Sequence, residues 1–120
     1  MSYPRRVSPP ATTYHLVSRQ AWEAADPRRP YLPASFPAEG FVHCTDGAEE
    51  LAATANRYFS AHDGELLALV IDRQRLTSPV RYEDPRNVYP HIYGPVQREA
   101  ITGVRPMQRD STGAWLPPRS

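Results

Sequence analysis

The sequence contains no lysine, and all 14 of its basic residues are arginines. Without lysine, the chain has neither a Schiff-base nucleophile nor the phosphate-binding lysine of a P-loop. Its single cysteine, Cys44, excludes an internal disulfide framework and a CxxC zinc site. The longest apolar run, residues 66–71, is far shorter than the roughly 20 residues that a membrane-spanning helix needs.

The chain also has little net charge and no apolar segment near its N-terminus. The formal charge is +1, so no overall field attracts nucleic acid or an anionic membrane. A secretory signal needs an apolar core after its basic residues, and none follows the first six residues. We therefore expect a cytoplasmic protein whose partner is a small molecule rather than a membrane or a nucleic acid.

The length of 120 residues supports one domain. We expect a flexible tail over residues 1–11, a single domain over 12–116 and a second flexible tail over 117–120. Residues 26–40 contain four prolines and no clear periodicity. Because such a segment is too long for a plain connection, it is expected to be functional or mobile.

Hydrophobic patterning predicts an α+β domain of mostly antiparallel strands. One predicted helix spans residues 19–25 and buries Trp22. A second spans residues 47–59, and its buried face carries residues 51, 55, 58 and 59. Asp46 and Glu49 have the spacing of a capping box before the second helix. Predicted strands cover 12–17, 41–45, 65–72, 80–83 and 100–104, with a short one at Trp115, and 65–72 is expected to be central.

Three histidines occur in similar surroundings: His15 and His43 within predicted strands, and His91 in the segment 89–95. Strand alternation places His43 and Thr45 on one face, and a polar face shared with His15 would form the floor of a cleft. Alternatively, each histidine satisfies a separate local hydrogen bond.

Residues 89–95 (YPHIYGP) combine aromatic side chains with the rigidity of proline. They predict either a wall for a stacked ring or a packed turn. Cys44 is expected to be buried, since neighbouring strand residues point to opposite faces and His43 cannot activate it. Among the carboxylates Asp72, Glu83 and Glu99, spacing singles out no general base.

Several of these segments together resemble the small bacterial proteins of domain-of-unknown-function family 952. The resemblance covers about residues 12–108, and its most specific parts are residues 39–45 (EGFVHCT) and 90–95 (PHIYGP). It implies a compact fold similar to that of ADP-ribosyltransferases, with two small packed sheets and two flanking helices. In that fold a histidine on the first core strand holds a ribose of NAD.

When the motifs of ADP-ribosyltransferases are compared with this sequence, Tyr14 and His15 resemble the first motif, and residues 43–45 resemble the second. The third motif departs, because residues 90–93 supply a histidine and a tyrosine where a glutamate is expected. RNA 2′-phosphotransferases, which have a related fold, rely on basic and histidine residues instead.

Three hypotheses follow from these residues. The first is an NAD-using transferase or related nucleotide-ribosyl enzyme, in which His15 fixes a ribose hydroxyl, Tyr93 stacks on nicotinamide, and His91 or His43 moves a proton. Tyr14 and Thr45 would help to bind the substrate.

The second hypothesis is a non-catalytic module that binds a nucleotide or other small ligand in the same cleft. The third is a hydrolase with a metal held by the three histidines, although their spacing matches no short metal motif. NAD enters only as a substrate, and no resident cofactor is implied.

Overall fold

The computed structural model describes residues 10–119, which contain six strands and three short α-helices. The strands are β1 (Thr12–Ser18), β2 (Val42–His43), β3 (Leu66–Asp72), β4 (Val80–Tyr82), β5 (Pro90–Ile92) and β6 (Ile101–Pro106). The helices are α1 (Arg19–Ala24), α2 (Phe36–Glu39) and α3 (Ala48–Tyr58). Of the predicted tails, residues 1–9 and residue 120 lie outside the described residues.

The strands form two three-stranded sheets, in the orders β1-β3-β6 and β2-β5-β4. Every ladder in them is antiparallel, which confirms the predicted α+β class. The sheets meet where Tyr14 and Thr45 form an isolated bridge, with backbone N···O distances of 3.0 and 2.8 Å. At this point β1 of the first sheet pairs with the residue that lies two positions after β2 of the second sheet.

The apolar run of β3 is buried on both faces, as predicted for a central strand. Leu67, Leu69 and Ile71 pack against the second sheet, in one core with Val42 and Ile92. The alternate residues of the strand, Leu66 and Ala68, pack beneath α3 in a second core. Burying a large aliphatic side chain contributes about 1.5–3 kcal/mol, so this strand holds the two halves of the molecule together.

The two predicted helices form, but three details were wrong. Gly47 caps α3 without any side-chain hydrogen bond, and the Asp46 carboxylate instead accepts a hydrogen bond from the Tyr82 hydroxyl. Tyr58, predicted on the buried face, is 71% exposed, whereas Ala55 and Phe59 pack in the second core as predicted. In α1, all of which is described, no residue is fully buried; Trp22 is only partly buried.

The segment 26–40 contains the helix that the sequence did not predict, α2, so the described residues have three helices rather than two. Predicted strand 41–45 is shortened to β2, because Thr45 leaves the second sheet to pair with Tyr14. Around Trp115, the predicted strand is a single bridge to Arg109. Within the described range, no helix has the length and apolarity needed to cross a membrane.

Candidate functional site

A pocket of about 930 Å³ opens where the two sheets meet. Its walls come from β1, α1, the loop that follows α1, β2 with the residues after it, the end of α3, and the segment leading into β5. All three candidate histidines line it, although they lie far apart in the sequence. The residues that line it and enter the argument below are His15, Tyr31, Leu32, Glu39, His43, Cys44, Thr45, Arg57, Tyr58, Asp84, Tyr89 and His91.

His15 is 7% exposed, and both of its ring nitrogens have partners. Nδ1 lies 2.6 Å from the carbonyl oxygen of His43, and Nε2 lies 3.0 Å from the Tyr31 hydroxyl. Because a carbonyl can only accept, Nδ1 carries the proton and Nε2 accepts from Tyr31. Burial lowers the pKa of His15 to about 4, so the imidazole is neutral near pH 7.

Tyr31 reaches this position from the loop between α1 and α2. Its backbone pairs with Val96 through N···O distances of 2.8 and 2.9 Å, and the residue is 2% exposed. Burial raises the pKa of its phenol, which keeps the hydroxyl protonated and able to donate to His15. The proline-rich loop thus supplies a fixed polar group of the pocket.

The side chain of His43 is largely exposed and donates a hydrogen bond to the carboxylate of Glu39, the last residue of α2. Nε2 lies 3.2 Å from Oε1 of Glu39, and the His43 side chain is 56% exposed. The hydrogen bond from His43 holds the pKa of Glu39 below its usual value. This pair places a carboxylate and an imidazole together on the pocket wall.

His91 has a carboxylate partner as well. Its Nδ1 lies 2.9 Å from Oε1 of Glu83, which also accepts a hydrogen bond from the Tyr93 hydroxyl. The bonds from Tyr93 and His91 lower the pKa of Glu83, and the pKa of Tyr93 rises correspondingly. The Phe41 ring stacks on His91 with centroids 3.9 Å apart, so the imidazole is fixed from two sides.

The predicted substrate-binding residues do not all reach the pocket. Thr45 lines it, and its hydroxyl lies 3.4 Å from that of Thr54. Among the described residues that line the pocket, neither Tyr14 nor Tyr93 is present. Tyr14 packs beneath α3 in the second core, and Tyr93 lies behind His91. Tyr89, from the same aromatic segment as Tyr93, lines the pocket instead.

The expected single polar face carrying His15, His43 and Thr45 was wrong in its register. Because Tyr14 pairs with Thr45, the residue opposite His15 is Cys44. His15 therefore contacts the backbone of His43 and not its ring. The histidines share a pocket because β1 and β2 belong to two different sheets at its edge, not because their side chains share one sheet face.

Cys44 is buried, as predicted. Burial raises the pKa of its thiol, which keeps the sulfur protonated and a poor nucleophile.

A family model described as "Protein of unknown function (DUF952)" matches residues 16–104. The chain belongs to this family. The match contains every pocket residue used above except His15, which immediately precedes it. Among curated proteins, none matches the chain.

Solved structures similar to this DUF952 protein are those of protein CC0527 from Caulobacter crescentus. In the X-ray structure, the sequence is 24% identical to this chain, the match covers 87% of this chain and 92% of CC0527, and the TM-score is 0.72. In the solution NMR structure, the sequence identity is 25%, the match covers 86% of this chain and 90% of CC0527, and the TM-score is 0.68. The likeness shows that the two proteins share a fold.

Sequence reasoning about this DUF952 protein missed Tyr31 and Glu39 as pocket residues. Residues 26–40 had been expected to be functional or mobile, but nothing in their pattern indicated which side chain would turn inward. Glu39 lies four residues before His43, a spacing that joins a helix end to the next strand. Of the carboxylates considered, only Glu83 contacts a candidate histidine; Asp72 pairs with Arg75, and Glu99 is exposed.

The donor set does not fit a metal held by the three histidines. Both nitrogens of His15 are committed to Tyr31 and the His43 carbonyl, which leaves no lone pair for an ion. Over residues 10–119, no three His, Cys, Asp or Glu side chains are grouped as metal ligands. The metal-dependent hydrolase therefore lacks its first ligand.

Proposed function

We propose that the pocket binds NAD or a related nucleotide and that the protein breaks the bond between its base and its ribose. The observation that carries this proposal is the convergence of three histidines, two of them paired with carboxylates, on one pocket. The volume lies within the range typical of small-molecule sites. The arrangement of two small antiparallel sheets supports the ADP-ribosyltransferase-like fold that the sequence resemblance implies.

Glu39 acts as a carboxylate that stabilises charge, and His43 acts as the general base through Nδ1, since its Nε2 donates to Glu39. When the bond between the anomeric carbon and the base breaks, its electron pair leaves with the base and positive charge develops on the sugar. The Glu39 carboxylate stabilises that charge, supplying the carboxylate that the third motif lacks. His43 accepts the proton of the water or hydroxyl whose oxygen forms the new bond to the sugar.

The other two histidines position the substrate. The Tyr31 hydroxyl donates to His15, and its remaining lone pair can accept a bond from a ribose hydroxyl. His91 presents a ring that is held by Glu83 and Phe41, next to Tyr89 on the wall. Tyr89 takes the ring-stacking role that the sequence assigned to Tyr93.

A second candidate function is nucleotide binding without turnover. It is favoured by the state of His15, which is neutral near pH 7 and has both ring nitrogens hydrogen-bonded within the protein, so neither nitrogen is free for proton transfer. Such a site would retain the ligand by shape and hydrogen bonding alone.

The test combines an amide NMR titration with a turnover assay. NAD should shift resonances in residues 15–17, 43–45 and 89–91, and incubation with NAD should release nicotinamide. The Glu39→Gln variant should bind NAD within about threefold of the parent affinity and lose about 100-fold or more in turnover. His62→Ala is the matched control, since His62 does not line the pocket.

The outcomes separate the two candidates. Binding with no release of nicotinamide, in the parent and in Glu39→Gln alike, would favour the binding module. Equal turnover in the parent and Glu39→Gln would refute the role of Glu39. An absence of shifts at millimolar NAD and at millimolar nicotinamide mononucleotide would remove both candidates.

A further inference from the structure

Arg57 lies in the last turn of α3 and lines the pocket. Its recorded contact is with the ring of its neighbour Tyr58, at 6.0 Å from the centroid. Other arginines form ion pairs with carboxylates, namely Arg19, Arg28, Arg29, Arg75 and Arg86. In the part of the chain that the structure describes, Arg57 has no such partner.

The two carboxylates of the pocket do not compensate this charge. Glu39 is bonded to His43. Asp84 accepts hydrogen bonds from the backbone amides of Val88 and Tyr89, at 3.1 and 3.0 Å. Among the described lining residues, Arg57 is the one arginine, and it forms no ion pair with either carboxylate.

Exposed apolar side chains also line the pocket. Tyr58, beside Arg57, is 71% exposed, and Leu32 from the loop after α1 is 44% exposed. Exposed apolar groups that border a pocket indicate contact with an apolar or aromatic part of a ligand. A pocket that contains the Arg57 guanidinium and exposed apolar side chains is complementary to a molecule that carries a ring and one anionic group.

We propose that Arg57 binds the phosphate of a mononucleotide, so that the preferred ligand carries one phosphate monoester and not a pyrophosphate. This inference rests on the proposed function and names its substrate class. A guanidinium matches a phosphate through two parallel N–H···O bonds. A pyrophosphate would bring a second phosphate into a wall whose remaining charged groups are carboxylates.

The experiment measures the affinities of five probes by NMR titration, of which NAD carries the pyrophosphate. Nicotinamide mononucleotide and nicotinamide riboside differ in one phosphate, as do phenyl phosphate and phenol. In the parent protein, each phosphate should increase affinity about tenfold, and Arg57→Ala should abolish that increase while leaving the riboside unchanged. Arg57→Lys should restore part of the increase, and Arg105→Ala is the control, since Arg105 lies on β6 away from the pocket.

Each outcome decides the inference. If the mononucleotide binds equally well to the parent and to Arg57→Ala, the role of Arg57 is refuted and the proposed function stands. If phenyl phosphate depends on Arg57 and no nucleotide binds, the phosphate site stands and the nucleotide function fails. If NAD binds more tightly than the mononucleotide, the preference for one phosphate is wrong. If no probe binds, both proposals are overturned.

Discussion

At the residue scale, burial gives the three pocket histidines different chemistry. His15 is 7% exposed, whereas the side chain of His43 is 56% exposed. The sequence identified all three as candidates from their apolar neighbours. It could not separate them, because the partners of His15 are a carbonyl 28 residues away and a tyrosine in an irregular loop.

The buried His15 predicts that stability falls on mild acidification. Its folded-state pKa of about 4 lies below the ordinary histidine value of 6.5, so the unfolded chain binds the proton more tightly. The contribution of neutral His15 is complete above about pH 6.5 and is lost as the pH falls toward 4. Between pH 7 and pH 5 the free energy of unfolding should decrease by about 2 kcal/mol.

Urea unfolding at both pH values measures this decrease. His15→Phe should unfold with much less dependence on pH over that interval, and His62→Ala should retain the parent dependence. A titration of the His15 ring by NMR gives the pKa directly, whatever the stability of the variant. A ring that titrates near 6.5 in the folded protein would contradict the prediction.

At the scale of elements, the local sequence pattern predicted the strands and helices that pack against the same neighbours along their whole length. The apolar run of β3 needed only burial on both faces, and α3 needed only its apolar stripe. β2 was predicted too long because Thr45 changes partner from one sheet to the other, which depends on tertiary structure. The capping box failed for a similar reason, since Tyr82 from β4 competes for Asp46.

The turn after β5 predicts a steric effect at Gly94. Its φ is +153°, and a Cβ built there would lie 2.5 Å from Oγ of Ser78, which donates a hydrogen bond to the Pro95 carbonyl. Gly94→Ala should therefore lower the free energy of unfolding by about 2 kcal/mol. Chemical unfolding measures this change.

Gly103→Ala is the matched control for Gly94. Its Cβ would meet Cγ2 of Val70 at 3.4 Å, close to ordinary contact, and its φ lies outside the left-handed region. We expect this variant to lose less than half as much stability as Gly94→Ala. Equal losses at the two positions would show that the close approach to Ser78 relaxes freely.

At the scale of the whole molecule, the pocket depends on a loop that no regular sheet holds in place. The loop after α1 is attached to the rest of the molecule through the Tyr31–Val96 bridge and through Arg98. Nε of Arg98 donates to the Arg29 carbonyl at 2.7 Å, Nη2 donates to the Asp26 carbonyl at 2.9 Å, and the guanidinium lies 4.6 Å from the Trp22 ring. No local pattern could predict this anchor, because its hydrogen-bonded partners are about 70 residues apart.

Removing the anchor should loosen the pocket wall and leave the core unchanged. In Arg98→Ala, the backbone amides of Tyr31 and Val96, which bond each other's carbonyls, should exchange with solvent about tenfold faster or more. Amides of β3, at the centre of its sheet, should keep the parent rates, because Arg98 itself belongs to neither core. Arg28→Ala is the control within the same loop, since Arg28 is exposed and, among the described residues, pairs with nearby Asp26.

Faster exchange throughout β3 would mean that Arg98 stabilises the whole fold. Unchanged exchange at Tyr31 would mean that the bridge to Val96 is enough to hold the loop. Faster exchange confined to the loop, together with weaker mononucleotide binding, would show that the order of the wall and the affinity of the pocket depend on the same arginine.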